Sequence, residues 1–311
     1  MTENDTRPRR AETMRWLITG ASGMVGSEVA SQLKKRGSDI IAVGRSELDI
    51  SDRNAVTYLL ELVRPDVVLN CAAYTKVDDC EEHEQEAFAV NALGVQHLAE
   101  GANEHNALLV HISTDFVFDG GKEGEWQIDD DPGPLSAYGR TKLAGERAAS
   151  DAVAHLVVRT SWVFGSQGPS FVEAILKQIE GGTDHLRVVA DQRGRPTWTP
   201  HLASALIDLG ERARTSELAR GIFHYADLPA CSWFEFAEAI ASTWSGLTES
   251  DREVTVEPVG TDAFPRPAVR PPNSVLSTSR YEQITGNLPG DWRQGLREYL
   301  RTRDLDSDPM Y

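Results

Sequence analysis

The chain has 311 residues, with 31 Lys and Arg against 48 Asp and Glu, a net charge of −17. That balance argues against a nucleic-acid polymer or an anionic membrane as partner, because both attract basic surfaces. No apolar run reaches the roughly 20 residues that cross a bilayer, and three widely spaced cysteines, Cys71, Cys80 and Cys231, fit a reducing cytoplasm better than a disulfide framework.

Residues 1–13 (MTENDTRPRRAET) are polar, lack the apolar stretch of a signal peptide, and are expected to form a disordered tail. MRWLITG (14–20) reads as a buried strand ending in glycine, and MVGSEVASQLKKRG (24–37) as a helix stopped by Gly37. A strand (39–44), a helix (51–65) and a strand (66–73) follow. Next come a helix over EQEAFAVNALGVQHLAEGANEH (84–105), a strand (107–114), a helix holding Tyr138 and a strand over HLVVRTSWVFG (155–165). Strands alternating with helices predict an α/β fold, a Rossmann-type doubly wound parallel sheet. The pattern loosens after 165. Residues 14–164 are therefore expected to be the nucleotide-binding domain and 165–311 mainly a smaller C-terminal substrate-binding lobe, with 221–226 returning to the sheet. The proline-rich FPRPAVRPPNSVL (264–276) reads as a stiff loop lining a site.

TGASGMVG (19–26) sits between the first strand and the first helix, and places Gly20, Gly23 and Gly26 at G-x-x-G-x-x-G spacing. A tight turn, a backbone without Cβ beside a pyrophosphate and a close helix–strand contact all require such glycines, and the helix N-terminus offers N–H groups to phosphate. The second strand runs into Arg45 where an NAD-selective site would carry a carboxylate, so NADPH is the first choice of cofactor, with NADH left open.

In SAYGRTKLAGE (136–146), Tyr138 and Lys142 stand at i and i+4, on one face of a helix. A phenol ionises near pKa ~10; an adjacent ammonium is expected to lower that value and make a proton donor beside a hydride source. HISTDF (111–116) supplies the Ser113 and Thr114 hydroxyls at a strand's C-terminal end.

With NCAA and STDFVFDG, this combination resembles the extended short-chain dehydrogenase/reductase family over nearly the whole chain. Within it, RPDVVLNCAAYTKVDDCE, VNALGVQHLAE, YGRTKLAGE, VVRTSWVFG, DQRGRPTW and FPRPAVRPPNS are most similar to the dTDP-4-dehydrorhamnose reductases. The resemblance implies reduction of a dTDP-4-keto sugar at C4, with Tyr138 as proton donor, Lys142 as its partner and Thr114 tuning it. It further implies Gly23, Met24 and Val25 at the pyrophosphate, Asp49 and Ile50 at the adenine, and Ala72, Ala73, Tyr74 and Thr75 on the nicotinamide side. Thr114, Asp115 and Trp162 would touch the sugar nucleotide, and Arg270 is set either at a pyrophosphate or on the surface. Some members of the family dimerise through Mg²⁺. Here Glu28 matches one acidic position but His201 stands at another, which argues against Mg²⁺ and leaves a homodimer open.

The acidic VDDCEEHEQE (77–86) matches no metal-ligand spacing, so no metal is expected there, and Trp126, Trp198, Trp233, Trp244 and Trp292 read as packing. Two alternatives stand beside the main reading. One is a ketoreductase for another dTDP-deoxysugar; the other is a non-catalytic regulatory subunit of the same fold, against which the intact Thr114, Tyr138 and Lys142 speak.

Overall fold

A computed structural model describes residues 14–248 and 252–306; the stretch 1–13, expected as a tail, lies outside the described residues. In chain order the first half forms β1 (Arg15–Thr19), α1 (Met24–Lys35), β2 (Asp39–Val43), α2 (Arg53–Val63), β3 (Val67–Asn70), α3 (Glu84–Phe88), α4 (Gly94–Glu104), β4 (Leu108–Thr114), α5 (Ala137–Ala149) and β5 (His155–Thr160). The second half forms β6 (Val163–Phe164), α6 (Phe171–Glu180), β7 (His185–Val189), β8 (Arg193–Gly194), β9 (Thr197–Trp198), α7 (Thr199–Thr215), β10 (Gly221–His224), β11 (Cys231–Ser232), α8 (Trp233–Thr248), β12 (Thr255–Val259), α9 (Ser279–Thr285) and α10 (Trp292–Asp306).

Six strands make one parallel sheet in the order β10-β5-β4-β3-β1-β2. Every residue of β3, VVLN, is buried, as a strand covered on both faces requires. On one face Val29 and Leu33 of α1 meet Leu202 and Leu206 of α7; on the other Val56 and Leu60 of α2 meet Val95 and Leu98 of α4. Strand order reverses between β1 and β3, so a crevice opens beyond their C-terminal ends. A second core, with Phe164, Leu176, Phe236, Ile240, Trp292 and Leu296, joins α6, α8 and α10 beside the β7–β12 pair.

Two expected elements differ. The single helix over 84–105 contains a π-helical turn at Ala89–Leu93. There the buried Asn91 turns inward, accepting from Tyr74 N–H (2.8 Å) and donating to Tyr74 C=O (3.1 Å), which ties the turn to the segment after β3. The strand expected over 155–165 stops at Thr160 because Trp162 takes a left-handed backbone, φ +47°, and the chain resumes as β6 against β9.

Beneath the crevice, α5 is fastened to β5 by a buried fork. Arg159 donates to both oxygens of Glu146 at 2.8 Å, and Ser113 donates to the same carboxylate at 2.5 Å.

Candidate active site

Gly20 has φ +64°, and a Cβ there would lie 2.6 Å from the Ala72 backbone N; one on Gly26 would lie 2.4 Å from Gly20 O. Only glycine allows β1, β3 and α1 to meet this closely. The Gly23 N-cap carries no side-chain bond and no acidic residue occupies the first turn of α1. The leading N–H groups of that helix therefore face outward, with the positive end of its dipole, and the turn fits a pyrophosphate.

Beyond β2, the Gly44 N–H donates to Glu47 (2.5 Å) and Arg45 is exposed. Asp49 accepts from the N–H and hydroxyl of Ser51, which with Arg45 nearby hold its carboxyl below the usual range. Ile50 turns into the core, 2% exposed; its carbonyl accepts from His97 Nδ1–H at 3.1 Å. Ala72, Ala73 and Tyr74, partly buried, follow β3, with Thr75 exposed beside them. The Tyr74 hydroxyl donates to Asp79, which raises that phenol to about 12.

Ser136 caps α5 by accepting from the Gly139 N–H at 3.1 Å. Gly139 is required because a Cβ would meet the Phe116 carbonyl at 2.3 Å. This close seat brings the half-buried Tyr138 over the end of β4, its ring edge-on to Phe116 at 5.7 Å. Burial pushes the phenol well above its ordinary value; a hydrogen bond with the Thr114 side chain draws it down, and the Asp115 carboxylate pushes it up. Thr114 also donates to Asp115 Oδ1 at 3.0 Å, while the buried Asp115 Oδ2 has no hydrogen-bond partner. Burial raises the Asp115 carboxyl to about 6.

The expected lowering of Tyr138 by Lys142 is not found. Lys142 shares the helix face, but its Nζ donates to the Ile112 carbonyl at 2.6 Å and lies 3.4 Å from His111 Nε2. Burial of the ring outweighs any neighbouring charge. Burial also lowers the lysine itself, to about 8.

The acidic stretch acts as a clamp. Glu81 accepts from the Ala137 N–H (2.8 Å), Glu84 forks onto Arg140 (2.9 Å twice), and Asp78 receives Arg270 (2.5 and 2.8 Å). Arg270 is thus half-buried and paired rather than a free surface cation. Glu28 accepts from Gln32 (2.9 Å) and His201 pairs with Asp227 (2.8 Å). Among the described residues no group of three or more His, Cys, Asp or Glu is placed to hold a metal ion.

Phe116, which meets the Tyr138 ring edge-on, also lines a cleft of ≈ 740 Å³ whose other walls include Trp162, Phe171, Arg187, Trp233 and the proline-rich 264–271. Trp162 stacks on Trp233 with centroids 3.5 Å apart and planes 9° apart. Trp233, read from the sequence as packing, is a wall of this cleft; its place beside an apolar helix gave no signal to the contrary. Asn70 and His111 also went unnoticed, although a polar residue inside VVLN or LLVHIST must find a buried partner.

The family described as RmlD substrate binding domain matches residues 14–304. A dTDP-4-dehydrorhamnose reductase of Aggregatibacter actinomycetemcomitans is 38% identical over 91% of this chain and 97% of its own. A probable dTDP-4,6-dihydroxy-2-methyloxan-3-one 4-ketoreductase of Streptomyces antibioticus is 42% identical over 92% of this chain and 94% of its own. The structure of a dTDP-4-dehydrorhamnose reductase of Bacillus anthracis in complex with NADP superposes with a TM-score of 0.86, at 31% identity, over 94% of this chain and 100% of that one. No described helix is long and apolar enough to cross a membrane.

Proposed function

The chain belongs to the family described as RmlD substrate binding domain, and from that membership we propose that it is an oxidoreductase that reduces the C4 keto group of dTDP-4-dehydro-β-L-rhamnose to dTDP-L-rhamnose with NADPH. The observation that carries the reading is the meeting of Tyr138, Thr114 and the unpartnered Asp115 oxygen at the end of β4, with Phe116 in contact with Tyr138 and in the wall of the aromatic cleft. When bound, the dihydronicotinamide supplies hydride to the carbonyl carbon.

The chain's own residues do the rest. The Gly20–Gly26 turn and the first turn of α1 hold the pyrophosphate, and Ala72, Ala73, Tyr74 and Thr75 line the nicotinamide side. Tyr138 keeps its proton at neutral pH and gives it to the oxygen of the reduced carbon. Thr114 orients that phenol, and the charged Lys142, one turn along the same helix face, would reach the cofactor ribose. Asp115 Oδ2 accepts a sugar hydroxyl, and Trp162 packs on a sugar face. A reducing cytoplasm, consistent with three free thiols, belongs to the same reading.

The test is oxidation of NADPH by the purified chain with a panel of dTDP-4-keto sugars. Turnover is expected to be highest with the rhamnose precursor; none on that sugar overturns the proposal. Preference for a dideoxy sugar would instead favour the second reading, a ketoreductase for another dTDP-deoxysugar, toward which the Streptomyces antibioticus relative points.

Cofactor preference is assigned to Arg45, whose guanidinium suits a 2′-phosphate. Arg45→Ala is expected to raise KM for NADPH about tenfold, the loss of one charge-assisted contact, with KM for NADH unchanged. Equal changes for both cofactors would contradict this role.

A further inference from the structure

Four buried polar side chains run in one line across the crevice, from β1 to α5. Thr19 Oγ1 donates to Asn70 Oδ1 at 2.6 Å, Asn70 Nδ2 stands 3.1 Å from His111 Nδ1, and His111 Nε2 stands 3.4 Å from Lys142 Nζ. None of the four is more than 2% exposed, so bulk water does not reorganise them.

The direction of this line is set at one end. Asn70 Oδ1 also accepts the backbone N–H of Ala72 at 3.1 Å, a group that can only donate. The amide is therefore turned with its NH₂ toward His111, and His111 Nδ1 must accept. The ring proton then sits on Nε2, facing Lys142. The other tautomer would set two N–H groups against each other across the shorter, 3.1 Å gap; the observed geometry leaves the donor conflict on the longer one. Burial and the neighbouring lysine keep the imidazole neutral.

We propose that His111 is a positioning residue: locked as the Nε2–H tautomer by Asn70, it presents a donor to Lys142 and so sets the alkaline limit of activity. The inference rests on the reductase reading given above. The groups facing the ammonium are His111 from β4, with the Ile112 carbonyl, Cys71 after β3, and Glu146 along α5. Burial disfavours the charge most strongly, the Glu146 carboxylate favours it less, and the result is a value of about 8. The sign follows: the ammonium is complete below that pH and is lost above it, so a rate that needs the charge falls there.

His111→Gln places a side-chain carbonyl where it can accept from Lys142. The alkaline limb of kcat/KM is expected to move upward by about 1 pH unit, back toward the ordinary lysine range. An unmoved limb overturns the proposal. Should the variant fail to fold, the wild-type protein decides: ¹⁵N spectra of histidine-labelled protein are expected to show His111 with a bare Nδ1 and a protonated Nε2. The reverse tautomer overturns the proposal. That spectrum does not depend on turnover, so failure of the tautomer and failure of the reductase reading give different results.

Discussion

Tyr138→Phe is expected to lower kcat by about 10²–10⁴-fold, the usual range for a positioned proton donor, while sugar-nucleotide affinity stays within a few-fold. The phenol lies with Tyr74 against the buried cluster of Cys80, Ala87 and Ala137, and edge-on to Phe116. Phenylalanine keeps those contacts and removes the hydroxyl alone. Burial holds that hydroxyl in its protonated form. For reduction this is the required state, because the oxygen formed at C4 is a far stronger base than a phenolate, and transfer runs downhill. Steady-state kinetics and calorimetric titration with a dTDP-sugar separate the two effects. An unchanged kcat would remove Tyr138 from the chemistry.

Arg159→Leu is expected to cost about 3–5 kcal/mol of stability, the penalty of leaving a buried carboxylate without its partner. Both members of the pair are nearly inaccessible, at 2% and 4% side-chain exposure. Ser113 alone would remain on Glu146, which lies one helical turn from Lys142 on α5. Urea unfolding reads the loss. Adding Glu146→Leu should recover part of it, since an apolar pair carries no desolvation penalty. A single-variant loss below about 1 kcal/mol, the level of an exposed pair, would show that the fork does not hold α5 to the sheet.

Much of this architecture was legible because local signals and burial agree. β1, β2 and β3 are apolar runs bounded by turn residues, and the glycine turn between β1 and α1 has one mechanical purpose. Ser136 at the head of α5 announces a cap. Other features depend on contacts distant in sequence. Nothing in HLVVRTSWVFG tells that Trp162 will take a left-handed backbone; Gly194, lying directly against its ring, and Trp233 decide that. The i, i+4 spacing places Tyr138 and Lys142 on one face but does not say which acceptor takes the ammonium, and the Ile112 carbonyl does. The spacing within the acidic 77–86 run shows no partner for its carboxylates; Arg140 and Arg270, far along the chain, make it a clamp. Asn70 and His111 were readable in principle, as polar residues in strands with no room for water.

The walls of the cleft have a further consequence. Apart from Phe116, every residue that lines it falls after position 160, whereas Gly20, Thr114, Tyr138 and Lys142 all precede it. Most of the cleft wall and the proton-donating group thus lie in separate stretches of polypeptide, with Phe116 as the residue of the earlier stretch that reaches the wall. Substitutions after position 160 can therefore reshape the cleft wall without touching the helix that carries Tyr138 and Lys142.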